Sequence, residues 1–209
     1  MNDKVVEVEI RAEIKRGDEE EFKRRIGKIG TLHSHTKRLS VMFFGRAGTK
    51  ETDVRVRVTN GKCEVVVKLG SFGSHDRIEM AQKISSSQFL GFVRIFSRFG
   101  FAMEVGEREN FNYRLRNSVL VSLVSAGTIS YVELEKISSQ SEAKQSNQLL
   151  RKLAEELGLQ VLELKQFDEL CGRLAEGVDW PFHDTEGEYA KLVKLLSRYT
   201  KKKKRPSEL

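Results

Sequence analysis

Two cysteines, two prolines and a single tryptophan are all that this chain of 209 residues contains of those types. Cys63 and Cys171 lie far apart and in no metal-ligand spacing. That excludes a disulfide framework and suits a reducing cytoplasm, which is the expected location. So little proline argues against extended linkers. No apolar run approaches the roughly 18 residues that a membrane span requires. The N-terminal MNDKVVEVEI shows no signal-peptide core.

What is present points to a folded body. Hydrophobic residues make up 39% and charged ones 32%, and twelve phenylalanines argue against disorder. The length allows one domain, alone or with an appendage. The net charge of +7 is unevenly placed: the last nine residues, KKKKRPSEL, hold five positive charges and one negative, so the remainder carries only +3. A nearly balanced body with a basic tail fits better than a uniformly basic nucleic-acid domain. The tail, 201–209, is expected to be disordered and solvated, and nucleic acid or an anionic membrane could be met only weakly and only through it.

The first two-thirds read as strands with two inserted helices. Val5–Ile14 alternates strictly, with Val6, Val8, Ile10, Ala12 and Ile14 against Glu7, Glu9, Arg11 and Glu13. Asp18 and three glutamates then open a helix that ends at Gly30. Further strands are expected over 39–44, 52–59, 62–69, 77–84, 104–115, 118–124 and 129–137. Asn60-Gly61 between two of them is a strong hairpin signal. A Phe-rich helix follows Ser85-Ser86-Ser87. From Ser138 on the pattern turns helical, with helices over 139–158, 166–175 and 187–199; Ser139 and Glu142 fit a capping box at the start. The organisation expected is a domain over 1–137, a helical extension over 138–200 packed on it, and the tail.

Most strands have one aliphatic face and one face bearing charges of both signs. That describes an ordinary antiparallel sheet with one solvated face. It equally describes a closed barrel turned inside out, whose aliphatic faces point outward under the helices, the C-terminal ones included, while the charged faces line a lumen. Chemistry favours the lumen. Glu7 and Glu9 share one face of their strand, as do Glu133 and Glu135. Four inward carboxylates could not all stay ionised without cations. Such oxygen donors suit Mg²⁺ or Mn²⁺. Arg11, Arg55, Arg57, Lys68 and Arg77 project from successive strands in a set that matches a polyanion. Carboxylates for a metal beside cations for phosphate are the parts of a phosphoryl-transfer site.

The segment VEVEIRAEI resembles the ExExK signature of the CYTH superfamily, the triphosphate tunnel metalloenzymes, with Glu7 and Glu9 in the acidic positions and Arg11 where the family has Lys. The order of later elements is also similar: Arg55 and Arg57 in RVR, a strand with Lys68, RIE at Arg77 and Glu79, Arg108 in ERENF, and VELE at Glu133 and Glu135. The resemblance covers roughly 4–137. It implies an α+β fold built on an antiparallel eight-stranded β-barrel, the triphosphate tunnel, with flanking helices. It implies that Glu7, Glu9, Glu133 and Glu135 hold Mg²⁺ or Mn²⁺, that Arg11, Arg55, Arg57, Lys68, Arg77 and Arg108 hold phosphates, and that Glu79 is a possible further acid. The activity implied is divalent-metal-dependent hydrolysis of a small-molecule triphosphate: inorganic, nucleoside or thiamine triphosphate. Cyclisation of ATP, as in class IV adenylate cyclases, and a catalytically decayed nucleotide- or polyphosphate-binding module are the alternatives.

Departures from the family pattern accompany the match. Ala81 stands where a second acid often follows the RxE glutamate, Gly106 where a Lys commonly precedes the Arg at position 108, and only Ser122 and Ser125 occupy the stretch where an Asp usually precedes the final ExE. Elsewhere, His33 and His35 are expected in an exposed loop. His75 is expected in a flexible loop or a lid, Cys63 is a small packing residue, and Trp180-Pro181-Phe182 anchors a turn.

Overall fold

The computed structural model describes residues 5–70 and 78–200, so Arg77, His75 and the basic tail lie outside the described residues. Eight strands, β1 (Val5–Ile14), β2 (Gly30–Ala47), β3 (Lys50–Thr59), β4 (Lys62–Leu69), β5 (Ile78–Ile84), β6 (Ala102–Leu115), β7 (Leu120–Ala126) and β8 (Ile129–Ser139), form one sheet. Their order is β1-β8-β7-β6-β2-β3-β4-β5, antiparallel throughout. A two-residue β9 (Trp180–Pro181) adds to β6. The helices are α1 (Glu19–Ile26), α2 (Phe89–Ser97), α3 (Ala143–Glu156), α4 (Leu164–Gly177) and α5 (Glu186–Thr200). The sheet curls into a half-barrel, and among the described residues no ladder joins its edge strands β1 and β5.

The alternation in the sequence sets which face is which. On β1, Val8, Ile10, Ala12 and Ile14 turn outward and are buried under Phe22 and Ile26 of α1 and Leu150 and Ala154 of α3. On β2 and β3, Leu39, Val41, Phe43, Val54, Val56 and Val58 do the same beneath Phe89 and Val93 of α2 and Tyr189, Leu192 and Leu196 of α5. Burying side chains of this size stabilises by roughly 1.5–3 kcal/mol each, so the outward face of the sheet is committed to the core. The charged residues of the same strands are left on the concave side.

Local signals hold where backbone sterics dictate them. Asn60 and Gly61 both adopt positive φ, at 48° and 83°, the mirror-type turn that matches strand twist. The Asn60 side chain ties this hairpin to β2, accepting from the Lys37 amide at 2.8 Å and donating to the His35 carbonyl at 3.0 Å. Ser139 is the last residue of β8 and bonds the Glu142 side chain at 2.9 Å, but α3 begins only at Ala143. The complete capping box sits instead at α4, between Glu163 and Gln166.

Two expectations are corrected. The segment holding His33 and His35 is not a loop: it belongs to the long strand β2, paired with β6 across a bulge at Leu32/Ser34. The C-terminal helices do not all lie outside the sheet. Helix α4 packs on the concave side, where Leu170 and Leu174 bury against Val124, Ala126 and Tyr131. The reason lies in β7, whose inward positions include apolar Val124 and Ala126.

Candidate functional site

A cavity of about 380 Å³ fills the concave side of the sheet. Glu7, Glu9, Arg11, Arg55, Arg57, Lys68, Glu79, Arg108, Glu133 and Glu135 all line it. Arg77 lies outside the described residues. Residues as distant in sequence as Glu7 and Glu135 meet here because each alternating strand turns its charged parity inward.

The carboxylates cluster on β1 and β8. Glu9 stands opposite Glu135 in register, and Arg11 opposite Glu133. Arg11 donates to Glu9 at 2.6 Å and lies 3.6 Å from Glu133. Its guanidinium also sits over the Phe167 ring of α4, 4.3 Å from the centroid. Burial, then the Glu133 charge, pushes the Glu9 carboxyl up to about 8, with Arg11 and Lys68 offsetting only part of this. Burial, then Glu7 and Glu133, pushes the Glu135 carboxyl up to about 7. These carboxyls are crowded acids held partly protonated at neutral pH.

The cations occupy the other wall. Arg55 forks onto buried Asp53, Arg57 pairs with Glu64 at 2.8 Å, and Lys68 pairs with Glu79 at 2.7 Å. Despite burial, Lys68 and Arg57 hold the Glu79 carboxyl below the usual carboxylate range. Arg108 makes a two-pronged pair with Asp179, at 2.6 and 2.7 Å. Burial works against the Arg108 charge, but Asp179 and Tyr131 together more than compensate, so its pKa is raised.

Gly106 explains how Asp179 gets there. A Cβ at position 106 would lie 2.4 Å from an Asp179 carboxylate oxygen, so the absent side chain is what admits the carboxylate. The Ser122 hydroxyl donates to the Asn112 side-chain oxygen at 2.8 Å, and the Asn112 amide donates to Ser34 at 2.9 Å, which leaves this stretch of the wall neutral. The Asn110 side-chain oxygen is buried with no hydrogen-bond partner among the described residues, so it is an acceptor available to a ligand or to water. Cys171 lines the cavity, but burial pushes its thiol up to about 11, so it is no thiolate nucleophile at neutral pH.

Among the described residues no three His, Cys, Asp or Glu side chains already converge as a metal-holding group. The donor chemistry nonetheless fits a hard divalent cation: four carboxylates, two of them raised by mutual repulsion and burial.

No protein-family model and no curated protein matches the chain. Solved structures do. A Pyrococcus horikoshii protein aligns over 81% of this chain and 99% of its own, at 18% identity and a TM-score of 0.61. A Vibrio parahaemolyticus protein described as a candidate adenylate cyclase aligns over 89% and 98%, at 14% identity and a TM-score of 0.57. A Hippeastrum protein, HpAC1, with a dominant triphosphatase activity, aligns over 76% and 90%, at 16% identity and a TM-score of 0.52. The chain has their fold.

Among the occupants of this tunnel-like cavity that sequence reasoning missed are Arg38, Asp179 and His33. Arg38 lines it from β2, where its same-face neighbours Ser40, Met42 and Phe44 carry no charge pattern to flag it. Asp179 arrives from the C-terminal third, and its only signal was the glycine at 106. His33 also lines the cavity, while His35 is bound to Glu109 at 2.6 Å and stacked on Phe111.

Proposed function

We propose that the cavity binds the triphosphate of a small molecule together with a divalent cation, and that the protein hydrolyses its terminal phosphoanhydride. The observation that carries this reading is the meeting inside one cavity of four carboxylates on β1 and β8 with Arg11 between them and with Arg55, Arg57, Lys68 and Arg108 from β3, β4 and β6. A volume of about 380 Å³ is in the range of small-ligand sites. The resemblance of the ordered motifs to the CYTH superfamily and the fold shared with HpAC1 support the same substrate class.

In this reading Arg11, Arg55, Arg57, Lys68 and Arg108 grip phosphate oxygens, and Arg77 joins them. Guanidinium forks fix the anhydride in one orientation, so the attacking water meets phosphorus in line with the leaving oxygen. Glu7, Glu9, Glu133 and Glu135 hold Mg²⁺ or Mn²⁺. When bound, the cation neutralises phosphoryl charge and withdraws electron density from phosphorus. Binding also requires the arginines to exchange an internal carboxylate for a phosphate oxygen, with Arg11 released from Glu9 and Arg108 from Asp179. In the reaction, the water oxygen bonds to the terminal phosphorus, the anhydride P–O bond breaks toward the leaving phosphate, and the water proton passes to solvent.

A substrate screen tests this. Tripolyphosphate, ATP and thiamine triphosphate are offered with Mg²⁺ and with Mn²⁺, and phosphate, pyrophosphate and cyclic nucleotide are scored separately. Metal-dependent release of orthophosphate is expected from at least one substrate. Pyrophosphate with a cyclic product identifies a cyclase instead, and tight binding without turnover identifies a binding module.

A further inference from the structure

We propose that Arg38 is the first docking point for the substrate's phosphates, because it is the cavity arginine that no carboxylate of the described chain already occupies. The inference rests on the triphosphate reading and adds to it a residue that the sequence motifs do not contain.

Position comes first. Arg38 lies in β2 opposite Thr59 of β3 and opposite Arg108 of β6, so it sits between the cation walls of those two strands. Its side chain lines the cavity, and its Nε donates to the Thr59 hydroxyl at 3.3 Å. The other described cations of the cavity are engaged. Arg11 holds Glu9, Arg55 holds Asp53, Arg57 holds Glu64, Lys68 holds Glu79 and Arg108 holds Asp179. Among the described residues no carboxylate lies within the 4.0 Å ion-pair distance of Arg38.

Energetics follow. A guanidinium has five N–H donors, and one of them is used here. Burial, then the Arg57 charge, pull the Arg38 pKa down, and the more distant Glu133 charge offsets only part of this, so its environment on balance opposes its charge. A phosphate oxygen pair would satisfy the free donors and remove that opposition at once. At Arg55, Arg57 and Arg108 the same phosphate must displace a tethered carboxylate, which subtracts from the gain. Arg38 should therefore contribute disproportionately to affinity. It should also be a liability in the empty protein, because a half-buried charge with no carboxylate partner is unfavourable.

These two consequences have opposite signs, which makes them testable together. The full chain is titrated with tripolyphosphate, in EDTA and in Mg²⁺, and the apo melting temperature is read for the same samples. Arg38→Gln should weaken tripolyphosphate binding about 10-fold or more while leaving the apo melting temperature equal or higher. Arg38→Met, which keeps the apolar stem, should behave in the same way and decides the matter if the Gln variant does not fold. Wild-type binding with no weakening in either variant overturns the role of Arg38 and leaves the triphosphate reading standing. Weaker binding accompanied by a lower melting temperature in both variants also overturns it, since Arg38 would then be a structural residue. A wild-type protein that binds no tripolyphosphate in either condition overturns this inference together with the reading beneath it.

Discussion

Replacing Glu133 and Glu135 together with Gln should abolish metal-dependent turnover, by about 10³-fold or more, and should raise the melting temperature of the metal-free protein at pH 8. Turnover falls because two of the four carboxylates proposed to hold the cation lose their charge. Stability rises because the carboxyls of Glu9 and Glu135 have pKa values raised to about 8 and about 7 in the folded chain. A group raised on folding holds its proton in the native state after the unfolded chain has released it. Its stabilising contribution is therefore complete below the ordinary carboxylate pKa and is lost as pH rises through the folded value. The wild type in EDTA should lose stability between about pH 4.5 and pH 8. The double variant should lose less, since Glu135 is gone and Glu9 no longer faces the Glu133 charge. Melting curves from pH 5 to pH 8, with and without Mg²⁺, check this, at about 2–4 °C per kcal/mol for a chain of this size. Unchanged turnover, or a double variant less stable than the wild type at pH 8, would contradict the assignment.

Arg108→Met should destabilise the protein by about 3–5 kcal/mol, because it leaves the Asp179 carboxylate buried without its cation. The Asp179 side chain is only 3% exposed. Asp179→Asn in the same background should recover most of the loss, since the orphaned charge is removed. The single variant Asp179→Asn should keep the fold and bind tripolyphosphate more tightly, because Arg108 no longer has a tethered competitor. Denaturant unfolding of the four proteins gives the coupling energy directly. A loss below about 1 kcal/mol for Arg108→Met would mean that the pair behaves as a solvated surface contact.

The legible parts of this protein were those governed by parity and by backbone sterics. Val6–Ile14 alternates without exception, so its charged face and its buried face could both be named from the sequence. The Asn60-Gly61 turn needs positive φ at both positions, and few residue pairs accept that. The ordered motifs on β1, β3, β4, β6 and β8 then brought most of the cavity wall into view. What stayed hidden has physical reasons as well. The first half of β2, from Gly30 to Lys37, has Leu32 as its single large apolar residue, so no hydrophobic period marks it as a strand. It is held by its ladder to β6 and by the Asn60 side chain. The position of α4 could not be read from its own stripe, which fits an outer or an inner seat equally well. The apolar pair Val124 and Ala126 on the inward face of β7 decides it. Asp179 is remote in sequence from Arg108, and a glycine in a strand is a weak sign that another side chain will occupy the space. Where an Asp usually precedes the final ExE, Ser122 bonds Asn112.

The most direct test of the account is a crystal structure of the full chain grown with tripolyphosphate and Mn²⁺, using the anomalous signal of manganese to locate the cation. Tripolyphosphate is expected inside the half-barrel, its oxygens against Arg38, Arg55, Arg57 and Arg11, with the anomalous peak against Glu133 and Glu135. Tripolyphosphate on the outer surface, or manganese away from the β1 and β8 carboxylates, would contradict it.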